Sequence, residues 1–144
     1  MNKTLWLALT MIAAGSTMLA DDAKKVTSRD GNCQVTVPST WMVSPTAGIG
    51  NSADKKVNVT VGAPQRVTSY DSLKENARKL YSGDKVTKDS ATEFQMEGQS
   101  MSGKPNVYRA IPIAGGKYCV MEVVYQSGTL NAARKIAESL RSPK

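Results

Sequence analysis

The pattern of apolar and polar positions divides the chain at once into a leader and a domain. After Met1-Asn2-Lys3-Thr4, positions 5–20 carry no charge, and Leu5, Trp6, Leu7, Leu9, Met11 and Ile12 form an apolar centre. Asp21 and Asp22 follow directly. A positive start, an apolar middle and a small residue before an acidic flank predict a secretory signal peptide over residues 1–20, cleaved on export. A membrane anchor is the competing reading. The run is about 16 residues and includes Thr10, Gly15, Ser16 and Thr17, which is short against the roughly 20 residues of a span. Met18 stands where a small residue is usual, so the cut falls within a few residues of Ala20. No cysteine lies nearby to carry a lipid.

Beyond the leader the periodicity is mostly that of strands. Residues 21–31 are polar and predict a loose, flexible lead-in to a single domain over 32–142. Cys33, Val35 and Val37 alternate with Gln34 and Thr36, the period of a half-buried strand. Pro38-Ser39-Thr40 predicts a turn, after which Trp41 to Val43 resumes extended structure. Residues 44–55, rich in Gly, Ser, Asn and Pro, predict a surface loop. Val57, Val59 and Val61 alternate again. Tyr70, Leu73, Ala77, Leu80 and Tyr81 recur at helical spacing. Ser72 with Glu75 forms a capping-box pattern, Ser69 is a second candidate cap, and Gly83 predicts the end of the helix.

From Val86 to Tyr125 the pattern returns to strands. Phe94 and Met96 share a face, as do Val107, Arg109, Ile111 and Ile113, and then Cys119, Met121, Val123 and Tyr125. Gly115-Gly116 predicts the tight turn between the last two strands, and Pro112 predicts an edge or a bulge. Ser127-Gly128-Thr129 caps a final helix with Leu130, Ala133, Ile136, Ala137 and Leu140 on its apolar face, stopped by Pro143. Short connections imply antiparallel pairing, so the fold class is α+β: a single antiparallel sheet with helices packed on it.

Composition narrows what this domain can do. Removing 20 of 144 residues leaves 124, enough for one core without staples. The mature chain keeps 18 Lys and Arg against 12 Asp and Glu, a formal charge of +6. A basic exported protein is drawn to anionic lipid or polymer. The basic residues are scattered in doublets and are not interleaved with aromatics, so no nucleic-acid partner is expected. Cys33 and Cys119 both lie on apolar faces, and an even count in an exported chain favours a disulfide over two buried thiols.

Candidate chemistry is sparse. The chain has no histidine, which removes Ser-His and Cys-His nucleophile pairs and imidazole ligands. Gly48-Ile49-Gly50-Asn51-Ser52-Ala53 matches a dinucleotide fingerprint as text, but a strand follows it where a helix is required, and no cofactor is expected. Ser52 with Lys55, and Ser82 with Lys85, match the Ser-x-x-Lys nucleophile pattern without the helix it needs. The acids Asp54, Asp71, Asp84, Asp89, Glu93, Glu97, Glu122 and Glu138 show no ligand or glycosidase spacing. Arg134, Lys135 and Arg141 make the last helix basic and are the candidate anion-binding residues, with Glu138 between them partly cancelling the charge.

The layout resembles the PsbP-like α/β/α sandwich superfamily, which includes the extrinsic PsbP protein of photosystem II, Mog-type Ran-binding proteins and bacterial envelope proteins. Three stretches carry the likeness: Cys33 to Pro38 followed by Trp41, Ser72 to Ala77, and Ala133 to Leu140. It spans about residues 30 to 141. The resemblance implies an accessory or binding protein with an envelope partner, and it brings no active site. The alternatives are a periplasmic hydrolase using carboxylates or a Ser-Lys pair, and a protein of anionic surfaces.

Overall fold

The computed structural model describes residues 23–64, 66–126 and 129–143. The expected signal peptide, with Ser127 and Gly128, lies outside these residues. Among the described residues, nine strands and two helices run in the order β1 (Lys24–Thr27), β2 (Gln34–Val37), β3 (Met42–Val43), β4 (Ile49–Asn51), β5 (Val57–Gly62), α1 (Tyr70–Leu80), β6 (Ser82–Asp89), β7 (Phe94–Gln99), β8 (Pro105–Ile113), β9 (Lys117–Tyr125), α2 (Leu130–Glu138).

Seven strands form one antiparallel sheet in the order β3-β4-β5-β9-β8-β7-β6, and β1 and β2 form a separate hairpin. The single sheet expected from the sequence is therefore two. Alternation puts opposite faces of each strand into different layers. Met121, Val123 and Cys119 of β9 and Val107 of β8 pack with the β1–β2 hairpin and with Ala133, Ile136 and Ala137 of α2. Tyr108 and Ala110 of β8, with Phe94 and Met96 of β7, pack instead with Leu73 and Ala77 of α1. The sheet is thus covered on both faces, and both apolar layers lie within residues 26–140.

The hairpin is tied into its layer three ways. Gln34 and Arg141 exchange backbone hydrogen bonds of 2.9 and 3.0 Å. The Thr36 amide donates to the Ser139 hydroxyl at 2.8 Å. Cys33 is joined to Cys119 of the central strand β9 by a disulfide of 2.04 Å across 86 positions. Both cysteines are wholly buried.

Several local expectations need correction. The lead-in 21–31 contains β1, whose Lys24 and Lys25 face water while Val26 alone is buried, so its alternation was too short to read. The loop 44–55 contains β4. The cap of α1 is Ser69, whose hydroxyl accepts from the Ser72 amide at 3.0 Å, and the helix ends at Leu80 rather than at Gly83. Ser82 opens β6. Pro112 sits in an interior strand, but β7 pairs only with Pro105–Ala110, so Pro112 has a neighbour on the β9 side alone.

Both edges of the sheet are blunted. β3 is two residues long, and β6 breaks register twice and carries Lys85 and Lys88. Short, bulged and lysine-bearing edges resist pairing with another chain.

Candidate functional site

Two adjoining clefts flank the β1–β2 turn. One, of about 280 Å³, lies among Ser28, Arg29, Asp30, Ala47 and the Val61–Ala63 segment. The other, of about 470 Å³, lies among Asp30, Asn32, Pro64, Val67, Lys117 and Tyr118. The disulfide fixes both walls of the larger cleft, because Cys33 follows Asn32 and Cys119 follows Tyr118. Tyr118 is stacked on Tyr70 of α1, with centroids 5.9 Å apart.

The turn that forms the shared wall is built by its own side chains. The Ser28 hydroxyl donates to Asp30 Oδ1 at 2.6 Å and accepts from the Cys33 amide at 3.1 Å. The Asn32 amide donates to Asp30 Oδ1 at 3.0 Å. The Ser28 hydroxyl bond, with the Asn32 bonds behind it, holds the Asp30 carboxyl below its ordinary range. Asp30 is therefore an anion spent on the turn, beside the exposed Lys117. The clefts can hold a small polar molecule, but they gather no nucleophile with a base.

The Ser-x-x-Lys and glycine motifs resolve into the same kind of turn chemistry. Ser52 donates to Asp54 Oδ1 at 2.6 Å and accepts from the Val57 amide at 3.0 Å, repeating the Ser28–Asp30–Cys33 arrangement. Lys55 stands where the first turn has Gly31, with φ 59° against 75°. Gly48, at φ 68°, packs against the Val61 carbonyl, and a Cβ on Gly50 would lie 2.8 Å from Val26 Cγ2. These glycines let the β1–β2 hairpin approach the sheet.

The acids are drawn into pairs. Asp89 accepts from Lys74 at 2.7 Å and from Arg78 at 2.8 Å, and the Lys74 hydrogen bond chiefly lowers its pKa. Glu93 accepts from the buried Arg109 at 2.6 Å, which lowers its pKa in the same way. Arg109 also donates to Gln95 at 3.1 Å, and both side chains are buried. Glu122 accepts from Asn106 at 2.7 Å. The Tyr70 hydroxyl is buried without a hydrogen-bond partner among the described residues, and burial pushes its pKa up to about 12.

Of the three basic residues assigned to the C-terminal helix, two are spent separately, and Arg141 lies past the helix end at Glu138. Arg134 grips Glu97 of β7 with two bonds of 2.6 and 2.8 Å. Arg141 donates twice to the Gln34 amide oxygen at 2.9 Å, once that amide is oriented to satisfy both groups. Lys135 remains exposed. No local pattern marks the Arg109–Glu93–Gln95 cluster, since Arg109 reads in the sequence as one more alternating position.

Fold and site together define a three-layer α+β domain with turn-built clefts. It has a PsbP-like fold: the solution structure of cyanobacterial PsbP (CyanoP) from Synechocystis sp. PCC 6803 superposes with a TM-score of 0.57 at 8% sequence identity, covering 83% of this chain and 92% of that one. No protein-family model and no curated protein sequence matches the chain.

Proposed function

We propose that the protein is a small, exported, non-catalytic accessory protein that binds a partner in a bacterial envelope. The PsbP-like fold carries this reading, since the resemblance implies accessory roles. The buried Cys33–Cys119 disulfide supports export, because such bonds persist in oxidising compartments. The acids support a non-catalytic role. A general acid or base near neutrality needs a raised carboxyl pKa, whereas Asp54, Asp89 and Glu93 are all lowered by hydrogen bonds.

Affinity capture with the oxidised mature chain from envelope extract should retain a defined envelope protein, and the purified chain should turn over no ester, glycoside or peptide substrate. Failure to capture any partner, together with hydrolysis abolished by Ser52→Ala, would refute the reading. Export has its own check. Residues 1–22 fused to a reporter active only outside the cytoplasm should give activity.

A further inference from the structure

Unpaired lysines and exposed apolar side chains collect at one end of the sheet. One row of paired residues crosses that end: Met42, Asn51, Asn58, Val124, Asn106 and Gly98. The β4–β5 and β7–β8 turns project beyond it. Met101, at the β7–β8 turn, is 79% exposed, the most of any large apolar residue described. Met42, in the row itself, is 54% exposed, and Leu80, two positions before the Ser82–Gln99 rung, is 49% exposed.

Charge follows the same distribution. Lys55 and Lys56 lie on the β4–β5 turn, Lys104 on the β7–β8 turn and Lys85 near the start of β6, all exposed and without an ion pair among the described residues. Asp54 and Asp84 are the acids of these segments, and Asp54 is held in its turn by Ser52. Toward the other end several cations are neutralised locally, Lys74 and Arg78 by Asp89, Arg109 by Glu93, and Lys88 by Glu93 and Glu138, which leaves Arg29 and Lys117 there as exposed charges.

The chain outside the described structure joins at this same end. Lys24 pairs with Val37 and its ammonium donates to the Trp41 carbonyl at 2.8 Å, which puts the start of β1 beside Met42.

We infer that this end of the sheet is a docking surface for an anionic phospholipid bilayer, with Met101 entering the interface and Lys55, Lys56, Lys85 and Lys104 facing the headgroups. Lysines near such a surface each strengthen binding severalfold, and the effect decays within a Debye length, so they must lie on one side to act together. An apolar tip among them adds a contribution that salt does not screen. The inference goes beyond the accessory role and stands whether or not a protein partner is found.

The test uses the oxidised chain from residue 21 onward, which contains both apolar layers and the disulfide. It should co-sediment with vesicles containing phosphatidylglycerol and not with pure phosphatidylcholine, and salt raised from about 0.05 to about 0.5 M should release it. The double variant Lys55→Glu/Lys104→Glu should weaken binding by roughly tenfold or more. Met101→Ser should weaken it with no change in salt dependence. The control Arg29→Glu/Lys117→Glu makes the same charge change at the opposite end and should bind nearly as the parent does. Equal losses in both double variants would mean diffuse net charge and overturn the assignment. So would retention of full binding by Met101→Ser, or a dimer in solution that Met101→Ser dissociates. Near-native thermal unfolding of each variant keeps the comparison valid.

Discussion

A serine hydroxyl that closes a turn recurs through the chain. Ser28, Ser52, Ser90 and Ser100 each accept from a backbone amide three to five positions on, and each opens a connection between strands. Lys55 completes one such turn at φ 59°, a conformation that a Cβ disfavours by about 1 kcal/mol. Lys55→Gly is therefore expected to stabilise the protein by about 0.5–1 kcal/mol in urea unfolding, less whatever Gly adds to the entropy of the unfolded chain. Gly50→Ala is expected to destabilise by about 1–3 kcal/mol, because the new methyl group meets Val26 and Val59. At the buried cation, Glu93→Gln should cost about 1–3 kcal/mol. That is below the usual cost of breaking a buried pair, since about a third of Glu93 is exposed. Of these features the sequence marked the loop that holds Ser52 and Lys55, whereas the Ser28 turn fell inside the expected lead-in. The partner of Arg109 depends on strand pairing that no local pattern encodes.

Legibility varied between elements for one reason, the share of each that is buried. β5, β9 and α2 each present a full apolar face, and their periodicity is plain. β1 lies in the outer hairpin, β4 is three residues long beside the two-residue β3, and the start of β6 lies on an edge, so they read as lead-in, loop and helix end. The cap of α1 was open between two serines, and capping distinguishes them. Ser69→Ala should cost about 1 kcal/mol while Ser72→Ala changes little, as measured by thermal unfolding. The disulfide holds the hairpin to β9 and closes 86 positions. Cys33→Ala/Cys119→Ala should lose on the order of 4 kcal/mol in denaturant melts, with the β1–β2 hairpin losing amide protection first.

For the whole molecule, stability against pH follows from which groups are shifted. With no histidine and both cysteines bonded, the chain carries neither an imidazole nor a free thiol to titrate near neutrality. Asp30, Asp54, Glu75, Asp89 and Glu93 are lowered by hydrogen bonds, so the unfolded chain binds protons first as pH falls. Their contribution is complete above the ordinary carboxylate range and is lost progressively below about pH 4.5. Tyr70, Tyr108 and Tyr125 are raised by burial, so their contribution is present below the ordinary tyrosine pKa of about 10 and falls as pH rises past it. Unfolding free energy should be flat from about pH 5.5 to 9 and fall on both sides. A maximum or step near pH 6.5 in equilibrium denaturation would contradict this.

The sequence alone determined the α+β class and the absence of imidazole chemistry, and it favoured pairing Cys33 with Cys119, because burial period and residue inventory are local properties. Tertiary structure decided where the charges act. Arg134 and Arg141, seven positions apart and so on one face of a helix on paper, are spent on Glu97 and Gln34, while Lys55, Lys85 and Lys104, far apart in the chain, come to one end of the sheet. Antiparallel register does this: it brings every second turn to the same side, and no property of the individual turns contains that information.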